Sequence, residues 1–169
     1  MKILVLSDSH SGLGFMRFAL DRIKPDAVVH LGDYFDDGTA IAEDYPHIPF
    51  HQVPGNCDRY RCPVPQPEVL CYDICGVRLF MTHGHLHHVK STCLALCRNA
   101  REMGAAAALF GHTHEALCRQ EEDGLWVLNP GSCGSYGGSV GLITVINQKI
   151  QQCRILRQAE LEEYHDSDS

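Results

Sequence analysis

Short apolar runs alternate with polar turns along the first part of the chain. Lys2–Leu6 and residues 27–31 are aliphatic runs that each end in a turn of polar residues or glycine, which is typical of buried strands. Between them, apolar residues recur near helical spacing from Phe15 to Ile23, and Lys24-Pro25 ends the pattern. This order predicts a strand, a helix and a parallel strand, the unit from which α/β sheets are built.

The rest of the chain predicts mostly strands. A helix is expected from a cap at Ser91 to about residue 103, with Gly104 as its stop. The expected strands are 49–53, a hairpin of Val69–Ile74 and Val77–Thr82 that follows a loop with Pro63, Pro65 and Pro67, and then 107–110, 116–120, 125–128, 140–146 and 150–156. We expect one mixed α/β domain over residues 1–157, and an acidic, flexible tail over 158–169.

Composition narrows the class of protein. The formal charge of −7 argues against broad nucleic-acid binding, which needs clustered Lys and Arg. Because the first apolar run is too short for a signal peptide and none reaches the length of a membrane span, we expect a soluble, cytoplasmic protein. The nine cysteines are scattered and odd in number, which favours reduced, buried thiols. The spacings of Cys71/Cys75 and Cys93/Cys97 leave a structural zinc site as an alternative.

Polar clusters follow five of the predicted strands. They are Asp8-Ser9-His10, Gly32-Asp33, Gly55-Asn56-Cys57-Asp58, His83-Gly84-His85 and Gly111-His112-Thr113-His114. Because ligands bind at the carboxyl edge of the strands in open α/β sheets, we expect these clusters to converge. Carboxylates, imidazoles and an amide oxygen suit divalent ions such as Mn²⁺, Zn²⁺ or Fe²⁺.

The one-residue spacing within two of the clusters predicts how they bind. Alternate residues of an extended segment project to the same side, so Asp8 with His10, and His112 with His114, would face the metals. Ser9 and Thr113 would then point away. Taken singly, each of these residues has a plainer explanation, since Asp caps helices and an isolated His is usually structural.

The ordered set resembles the calcineurin-like metallophosphoesterase superfamily, whose motifs Asp-x-His, Gly-Asp, Gly-Asn-x-Asp, His and Gly-His-x-His are complete over about residues 1–150. The short chain and its Gly-Asn-Cys-Asp motif are most similar to the small phosphodiesterases of that superfamily. The resemblance implies an α/β fold: a four-layer αββα sandwich of two mixed β-sheets flanked by helices.

The resemblance also implies two divalent metal ions. One would be held by Asp8, His10, Asp33 and His114, and the other by Asp33, Asn56, His83 and His112, with Asp33 as the bridge. The expected ion is Mn²⁺, with Zn²⁺, Fe²⁺ or Ni²⁺ as alternatives. Such a pair lowers the pKa of a shared water, whose hydroxide attacks the phosphate ester. Asp33, Asn56, Asp58 and His85 are the residues expected to act in catalysis, with Asp58 orienting a ligand or a neighbouring loop.

One departure from the superfamily pattern bears on mechanism. Many members carry His after the Asn, where it helps to protonate the leaving group, whereas this chain has Cys57. The small phosphodiesterases that it resembles commonly carry Cys there. A thiol is a poorer donor to an alkoxide than imidazolium, so activated leaving groups or another acid are expected, with His85 the candidate.

The expected substrate is a small phosphodiester or nucleotide, and a homo-oligomer remains open. A protein-interaction scaffold, like the retromer subunit that shares this fold, is the alternative from another class, and a phosphomonoesterase is the alternative reaction. Elsewhere, His30 is expected to be a hydrogen-bonded core or edge residue. His87 and His88 are expected to be solvated, with the mouth of the site as the alternative. The segment 129–132, followed by the glycine-rich 134–138, either closes over the site or is an ordinary turn.

Overall fold

Two five-stranded β-sheets pack face to face in the computed structural model, which describes residues 1–62, 64–134 and 137–165. Pro63, residues 135–136 within the glycine-rich segment and the last four residues of the chain lie outside the described residues. The strands are β1 Lys2–Leu6, β2 Ala27–His30, β3 Phe50–Gln52, β4 Val69–Ile74, β5 Val77–Thr82, β6 Ala107–Leu109, β7 Leu117–Gln120, β8 Trp126–Asn129, β9 Ser139–Ile146 and β10 Lys149–Arg157. The helices are α1 Leu13–Ile23, α2 Phe35–Asp44, α3 Leu94–Glu102 and α4 Gln158–Glu163, with a 3₁₀ turn at His85–His87.

The strand orders are β10-β9-β1-β2-β3 in the first sheet and β4-β5-β6-β8-β7 in the second. Within the first sheet β1, β2 and β3 are parallel, and within the second β5, β6 and β8 are parallel. Parallel neighbours bring their carboxyl ends to one edge of the sheet. The predicted αββα sandwich of two mixed sheets is confirmed, and both sheets present such an edge.

Side-chain alternation along β1 shows how the layers are held. Ile3 and Val5 join the apolar cluster between the two sheets, whereas Leu4 and Leu6 join the cluster beneath α1. All four are 0% exposed, and each buried aliphatic side chain contributes about 1.5–3 kcal/mol to folding. A third cluster packs α3 against the outer face of the second sheet. β1 is therefore buried on both faces and fixes the loop that follows it.

The helix α2 was not predicted. Its sequence, FDDGTAIAED, contains glycine and polar residues of low helix propensity, so the apolar periodicity is weak. Its start is instead held by a distant residue, since Asp58 accepts hydrogen bonds from the backbone amides of Tyr34 and Phe35. Where α2 begins is therefore set by a contact between residues more than twenty positions apart in the sequence.

The start of α3 differs from the prediction. The helix begins at Leu94 rather than near Ser91, and Ser91 does not cap it, because its amide lies in a turn that bonds the His88 carbonyl. The Thr92 hydroxyl accepts from the Leu94 amide instead, at 3.3 Å. The predicted hairpin is confirmed, with Cys75 and Gly76 at its turn in the left-handed region (φ 53° and 81°).

The acidic segment after β10 is ordered as far as the structure describes it. The prediction of a flexible tail from Gln158 is wrong for residues 158–165, because α4 packs Leu161 (0% exposed) and Tyr164 (5% exposed) onto the α1 cluster. Two apolar residues three apart are too few to produce a readable periodicity. Among the described residues, no helix combines the length and apolar character that crossing a membrane requires.

All nine cysteines are free. Cys97, Cys133 and Cys153 are buried, as expected of small apolar side chains, and the others are exposed or partly buried. Over the described residues, neither Cys71/Cys75 nor Cys93/Cys97 joins a cluster of three or more candidate metal ligands. The structure therefore offers no support for the alternative of a zinc site at these pairs.

Candidate metal centre

The loops after five strands meet at the carboxyl edge that the two sheets share. Asp8 and His10 follow β1, Asp33 follows β2, and Asn56 follows β3, so the first sheet supplies the carboxylates and the amide. His83 follows β5, and His112 and His114 follow β6, so the second sheet supplies three of the four imidazoles. The structure brings all seven predicted ligand residues to one place, through the contacts that follow.

Asp8, His10, Asp33 and His114 form what we call the first half-site. One ligand atom from each lies within 4.8 Å of all the others. The Nε2 atoms of His10 and His114 face each other at 3.4 Å, and His114 Nε2 lies 3.1 Å from Asp8 Oδ1. Asp8 Oδ1 is buried and makes no hydrogen bond to a described residue. A buried oxygen left without a donor is costly, and a cation in this position would satisfy it.

Asp33, Asn56, His83 and His112 form the second half-site. The His83 Nδ1–H donates to the Leu31 carbonyl at 2.7 Å, which leaves Nε2 of the neutral ring as a lone pair. That nitrogen faces Asn56 Oδ1 at 3.1 Å and Asp33 Oδ1 at 3.5 Å. The His112 ring centroid lies 5.0 Å from that of His83. With the ring neutral these three groups are all acceptors, and either a proton on His83 Nε2 or a metal ion between them satisfies the arrangement. Ligand atoms about 2.1 Å from one metal are separated by about 3 Å at right angles, which fits these distances.

Asp33 belongs to both half-sites. Its Oδ1 accepts from the Cys57 amide at 2.9 Å. Burial acts to raise the pKa of Asp33, but the charge of His83 and the Cys57 amide together lower it below the ordinary value. A carboxylate that stays ionised is the form that bridges metals. The loop after β3 must come close for this, and a Cβ at Gly55 would overlap Asp33 Oδ1. Glycine is therefore required at position 55.

Two other groups have shifted pKa values. Burial raises the pKa of Asp8, against the charges of His83 and His114 and the hydrogen bond from Ser7. Burial, followed by the charges of His83 and Lys90, lowers the pKa of His112 to about 4. The imidazole of His112 is therefore neutral at physiological pH, which is the form that binds a metal.

The backbone at the ligands is left-handed rather than extended. Five of the seven predicted ligand residues have positive φ: Asp8 (53°), His10 (42°), Asp33 (55°), His112 (69°) and His114 (60°). The expectation that an extended segment projects alternate residues to the metals is therefore wrong in its geometry. A non-glycine residue with left-handed backbone angles costs about 1–3 kcal/mol. Such residues cluster at functional sites, where the surrounding structure holds them in that conformation. Ser9 and Thr113 nevertheless point away, as expected: the Ser9 hydroxyl bonds Asp37, and Thr113 bonds Asn129.

Several supporting residues carried no signal in the sequence. The Ser7 hydroxyl donates to Asp8 Oδ2 at 2.6 Å, and the His112 amide donates to the same oxygen at 3.1 Å. Asp37, in the first turn of α2, accepts from the Ser9 hydroxyl and the Ser11 amide. These contacts hold the loop after β1 in its left-handed conformation. Ser and Asp in turns are too common to be singled out without the tertiary structure.

The segment 129–132 packs against the site, which decides between its two interpretations. Asn129 is 0% exposed and donates to the Gly111 carbonyl at 3.0 Å and to the Thr113 hydroxyl at 2.9 Å. The Ser132 hydroxyl donates to the Asp8 carbonyl at 2.8 Å. These bonds clamp the loops that carry Asp8, His112 and His114.

Asp58 holds two loops together rather than contacting a ligand. It is 1% exposed, and its Oδ1 accepts from the amides of Tyr34 and Phe35, while its Oδ2 accepts from the Gly55 amide at 2.7 Å. Both oxygens are occupied by backbone donors. Asp58 is thus a positioning residue that ties the loop of Asp33 to the loop of Asn56.

Cys57 and His85 flank the second half-site. Cys57 is exposed as a residue, but its thiol is partly desolvated. This desolvation and the Asp33 carboxylate raise the pKa of the thiol, so it remains protonated at neutral pH. The His85 ring lies 5.5 Å from that of His83 and 6.1 Å from that of His112. Its Nε2 lies 3.7 Å from Glu68 Oε2.

His30 and His87 differ from expectation, whereas His88 does not. His30 is fully buried, but neither ring nitrogen has a hydrogen-bond partner among the described residues, so the expected hydrogen-bonded core histidine is wrong in that respect. His87 is buried against Phe80, and its Nε2 lies 3.2 Å from the Asn99 amide nitrogen, so it is not solvated; His88 is exposed, as expected.

Comparison with known proteins agrees with this geometry. The chain is 31% identical over 135 residues to the probable metallophosphoesterase YsnB of Bacillus subtilis, covering 78% of this chain and 75% of that protein. It is 24% identical over 170 residues to phosphodiesterase MJ0936 of Methanocaldococcus jannaschii, covering 91% of this chain and 97% of that protein.

Solved structures show the same fold. A conserved protein of Streptococcus pneumoniae TIGR4, described as a predicted phosphoesterase, superposes with a TM-score of 0.72 at 25% identity, over 93% of this chain and 97% of that one. Vps29 of Entamoeba histolytica in complex with Zn²⁺ superposes with a TM-score of 0.67 at 20% identity, over 93% and 99% of the two chains. The sequence profile of the calcineurin-like phosphoesterase superfamily domain matches residues 1–150, and the chain therefore belongs to that superfamily.

Proposed function

We propose that this protein is a phosphodiesterase that depends on two divalent metal ions, with Mn²⁺ as the expected ion and a small phosphodiester or nucleotide as the substrate. The observation that carries the proposal is the set of unsatisfied acceptors at the shared sheet edge. Within the part of the chain that the structure describes, Asp8 Oδ1 accepts no hydrogen bond, and in the neutral ring that binds metal His83 Nε2 faces two acceptor oxygens. Two cations, one in each half-site, would satisfy both arrangements.

In the proposed assignment, Asp8, His10, Asp33 and His114 hold one ion, and Asp33, Asn56, His83 and His112 hold the other. When bound, two divalent ions supply a shared water of lowered pKa and the positive charge that a phosphate ester needs in an acidic protein. The protein's own part is to keep the ligands in place before substrate arrives. Leu31 orients His83, and Asn129 holds the loop of His112 and His114.

Proton delivery to the leaving group is assigned to His85. Its ring lies beside those of His83 and His112, and Glu68 is close enough to orient it. Cys57 is a protonated thiol and a weak proton donor to an alkoxide. We therefore expect His85→Asn to lower kcat more for diesters with a poor leaving group than for aryl diesters. Equal losses on both would assign His85 to ligand support instead.

The relatives favour a diesterase but leave the scaffold alternative open. MJ0936 is named a phosphodiesterase, whereas Vps29 is named for vacuolar protein sorting. The complete set of ligand types in this chain favours the enzyme, because a surface used only for protein contacts does not require buried acceptors that face one another. A cytoplasmic location remains a prediction.

The test is hydrolysis of bis(p-nitrophenyl) phosphate by protein purified without chelator, with metal content measured on the same sample. We expect about two divalent ions per chain and a rate that EDTA abolishes and Mn²⁺ restores. p-Nitrophenyl phosphate, assayed alongside, separates a diesterase from a monoesterase. Protein that carries both ions but is inert on every ester would contradict catalysis, and protein that binds no ion would favour the scaffold.

A further inference from the structure

A cavity of about 500 Å³ opens beside the second half-site. Asn56, a predicted ligand of the second half-site, and His85, which flanks that half-site, both line the cavity, so the cavity reaches the place where the phosphate would be bound. Volumes of about 300–1,000 Å³ are usual for sites that bind small organic molecules. Nothing in the metal chemistry requires space of this size, which is far larger than a phosphate group.

The walls of the cavity differ in chemistry. Pro54, Val64 and Pro65 form an apolar part, and Val64 is 57% exposed. Arg59, Gln66 and Glu68 form the polar part. Rigid proline walls favour a flat or compact organic group, while amide, carboxylate and guanidinium groups offer hydrogen bonds to hydroxyls.

The charge of the lining limits the occupant. Among the described residues that line the cavity, Arg59 is the permanent cation, set against the carboxylates of Glu68 and Asp58, and His85 adds a positive charge while it holds the proton that it donates. Asp58 already accepts three backbone hydrogen bonds and is not available to a ligand. The lining is therefore neutral while His85 is protonated and negative once His85 has donated its proton, so in neither state does it offer surplus positive charge to an additional phosphate or carboxylate, and an uncharged group suits it better.

We propose that this cavity binds the alcohol that leaves the phosphorus, and that this alcohol is uncharged, partly apolar and no larger than a nucleoside. The assignment to the leaving group, rather than to the group retained on phosphorus, follows from His85, which lines the cavity and is the proton donor of the proposed mechanism. The inference rests on the proposed phosphoesterase function and goes beyond it by naming the substrate's leaving group and the residues that select it, Val64 and Glu68.

Two substrates with a common leaving group test the assignment. Methyl p-nitrophenyl phosphate and bis(p-nitrophenyl) phosphate both release p-nitrophenolate but differ in the group retained. Val64→Trp fills the cavity and should lower kcat/KM about tenfold or more on both. The matched control is Ile146→Trp, which makes the same change at a residue of similar exposure (50%) near the opposite ends of the strands, and it should leave both rates unchanged.

The pattern of loss decides the outcome. Equal losses on the two diesters support a leaving-group site. A loss confined to bis(p-nitrophenyl) phosphate would place the retained group in the cavity, and no loss on either would remove the cavity from the substrate's path; both overturn the proposal. Far-UV circular dichroism and metal content, measured on each variant, separate blocked binding from misfolding.

A second comparison tests charge selection. Methyl 3-carboxy-4-nitrophenyl phosphate adds a carboxylate to the leaving group, and we expect wild type to discriminate against it relative to methyl p-nitrophenyl phosphate. Glu68→Lys should shift that ratio of kcat/KM values toward the carboxylated substrate by about tenfold. The ratio is measured within one enzyme, so any effect of the variant on His85 cancels. An unchanged ratio would contradict the role of Glu68.

A binding measurement separates this proposal from the proposed function. Phenol, an uncharged leaving alcohol, should shift the Val64 methyl resonances of the Mn²⁺-free, Zn²⁺-loaded protein, and Val64→Trp should weaken phenol binding. If the protein hydrolyses no phosphate ester but shows this shift, the phosphoesterase function is refuted and the cavity remains an alcohol-binding site. Active enzyme without the shift would refute the cavity assignment alone.

Discussion

The two half-sites share Asp33 but are built differently. In the second, His83 is 0% exposed, and the Leu31 carbonyl sets both its tautomer and the direction of its ring. In the first, the side chain of His114 is 47% exposed, and its Nε2 lies against two other predicted ligands, His10 and Asp8. His83 of the second half-site is therefore held in place before metal binds, whereas His114 of the first depends more on the metal to hold its imidazole.

This difference shows where the fold stabilises the centre. A ligand that is buried and oriented by a backbone carbonyl loses little entropy on binding metal, whereas an exposed imidazole loses its rotamer freedom at that moment. We expect tighter binding in the second half-site, and a first ion that exchanges more readily with solution. Variants of Asp33, His83, His114 and Asn129 test this difference.

Asp33→Asn should have the largest effect, because it removes the one carboxylate that both half-sites share. Activity on bis(p-nitrophenyl) phosphate should fall about 10³-fold or more, with metal content reduced in both half-sites. Asp36→Asn, the same change at an exposed carboxylate three residues away that pairs with Arg61, is the control and should keep its activity. If the Asp33→Asn variant still bound two ions per chain, Asp33 would not be the ligand that bridges them.

His83→Asn should follow, with a loss of about 10²–10³-fold that raising Mn²⁺ does not recover. The change leaves the Leu31 carbonyl without its donor and removes the buried ligand, so no excess of ion can restore the geometry. The measurement is the dependence of kcat/KM on Mn²⁺ concentration. Full recovery at millimolar Mn²⁺ would mean that the second half-site is no better preorganised than the first.

His114→Asn should cost less, about 10–100-fold, and millimolar Mn²⁺ should recover most of the activity. Its side chain is 47% exposed and supports no other group of the fold, so its loss weakens the affinity for one ion without disturbing the rest. Titration with Mn²⁺ should show a higher apparent Kd and a nearly unchanged maximal rate. A low maximal rate at saturating metal would give His114 a role beyond binding.

Asn129→Ala tests the clamp on the loop that carries His112 and His114. The change removes bonds to the Gly111 carbonyl and the Thr113 hydroxyl, and we expect metal affinity to weaken by about tenfold in the first half-site. Thr113→Ala removes one of these bonds and should have a smaller effect in the same direction. If neither variant changes the Mn²⁺ titration, the left-handed loop is held by its own backbone.

His30→Leu should change activity least and stability most at low pH. Burial, followed by the charge of His83, lowers the pKa of His30 to about 4 from an ordinary 6.5. Between these values the unfolded chain binds a proton that the folded protein does not, so wild type loses stability as pH falls from 7 to 5, by about 2 kcal/mol. Urea unfolding of metal-free protein should show a smaller loss for the variant. If the free energies of unfolding of wild type and variant changed in parallel with pH, the pKa of His30 would not be lowered in the folded protein.

The ligand set was readable from the sequence because metal chemistry requires particular residue types at strand ends. Asp8, His10 and Asp33 each stand directly after an apolar run, and that local order was enough to place them at one edge. Supporting residues such as Ser7 and Asp37 were missed, since serine and aspartate are common in turns, and for Asn129 the sequence left two interpretations open. Their roles depend on partners elsewhere in the chain, such as Gly111 for Asn129.

Local periodicity was enough to predict the strands and the hairpin, and side-chain chemistry together with the family resemblance was enough to name the candidate metal ligands. Tertiary structure decided the rest. Asp58 starts α2, Leu31 sets the tautomer of His83, and the packing of Leu161 orders the acidic end of the chain. Each of these depends on a contact between segments distant in sequence, whose free energy exists only once the layers have come together.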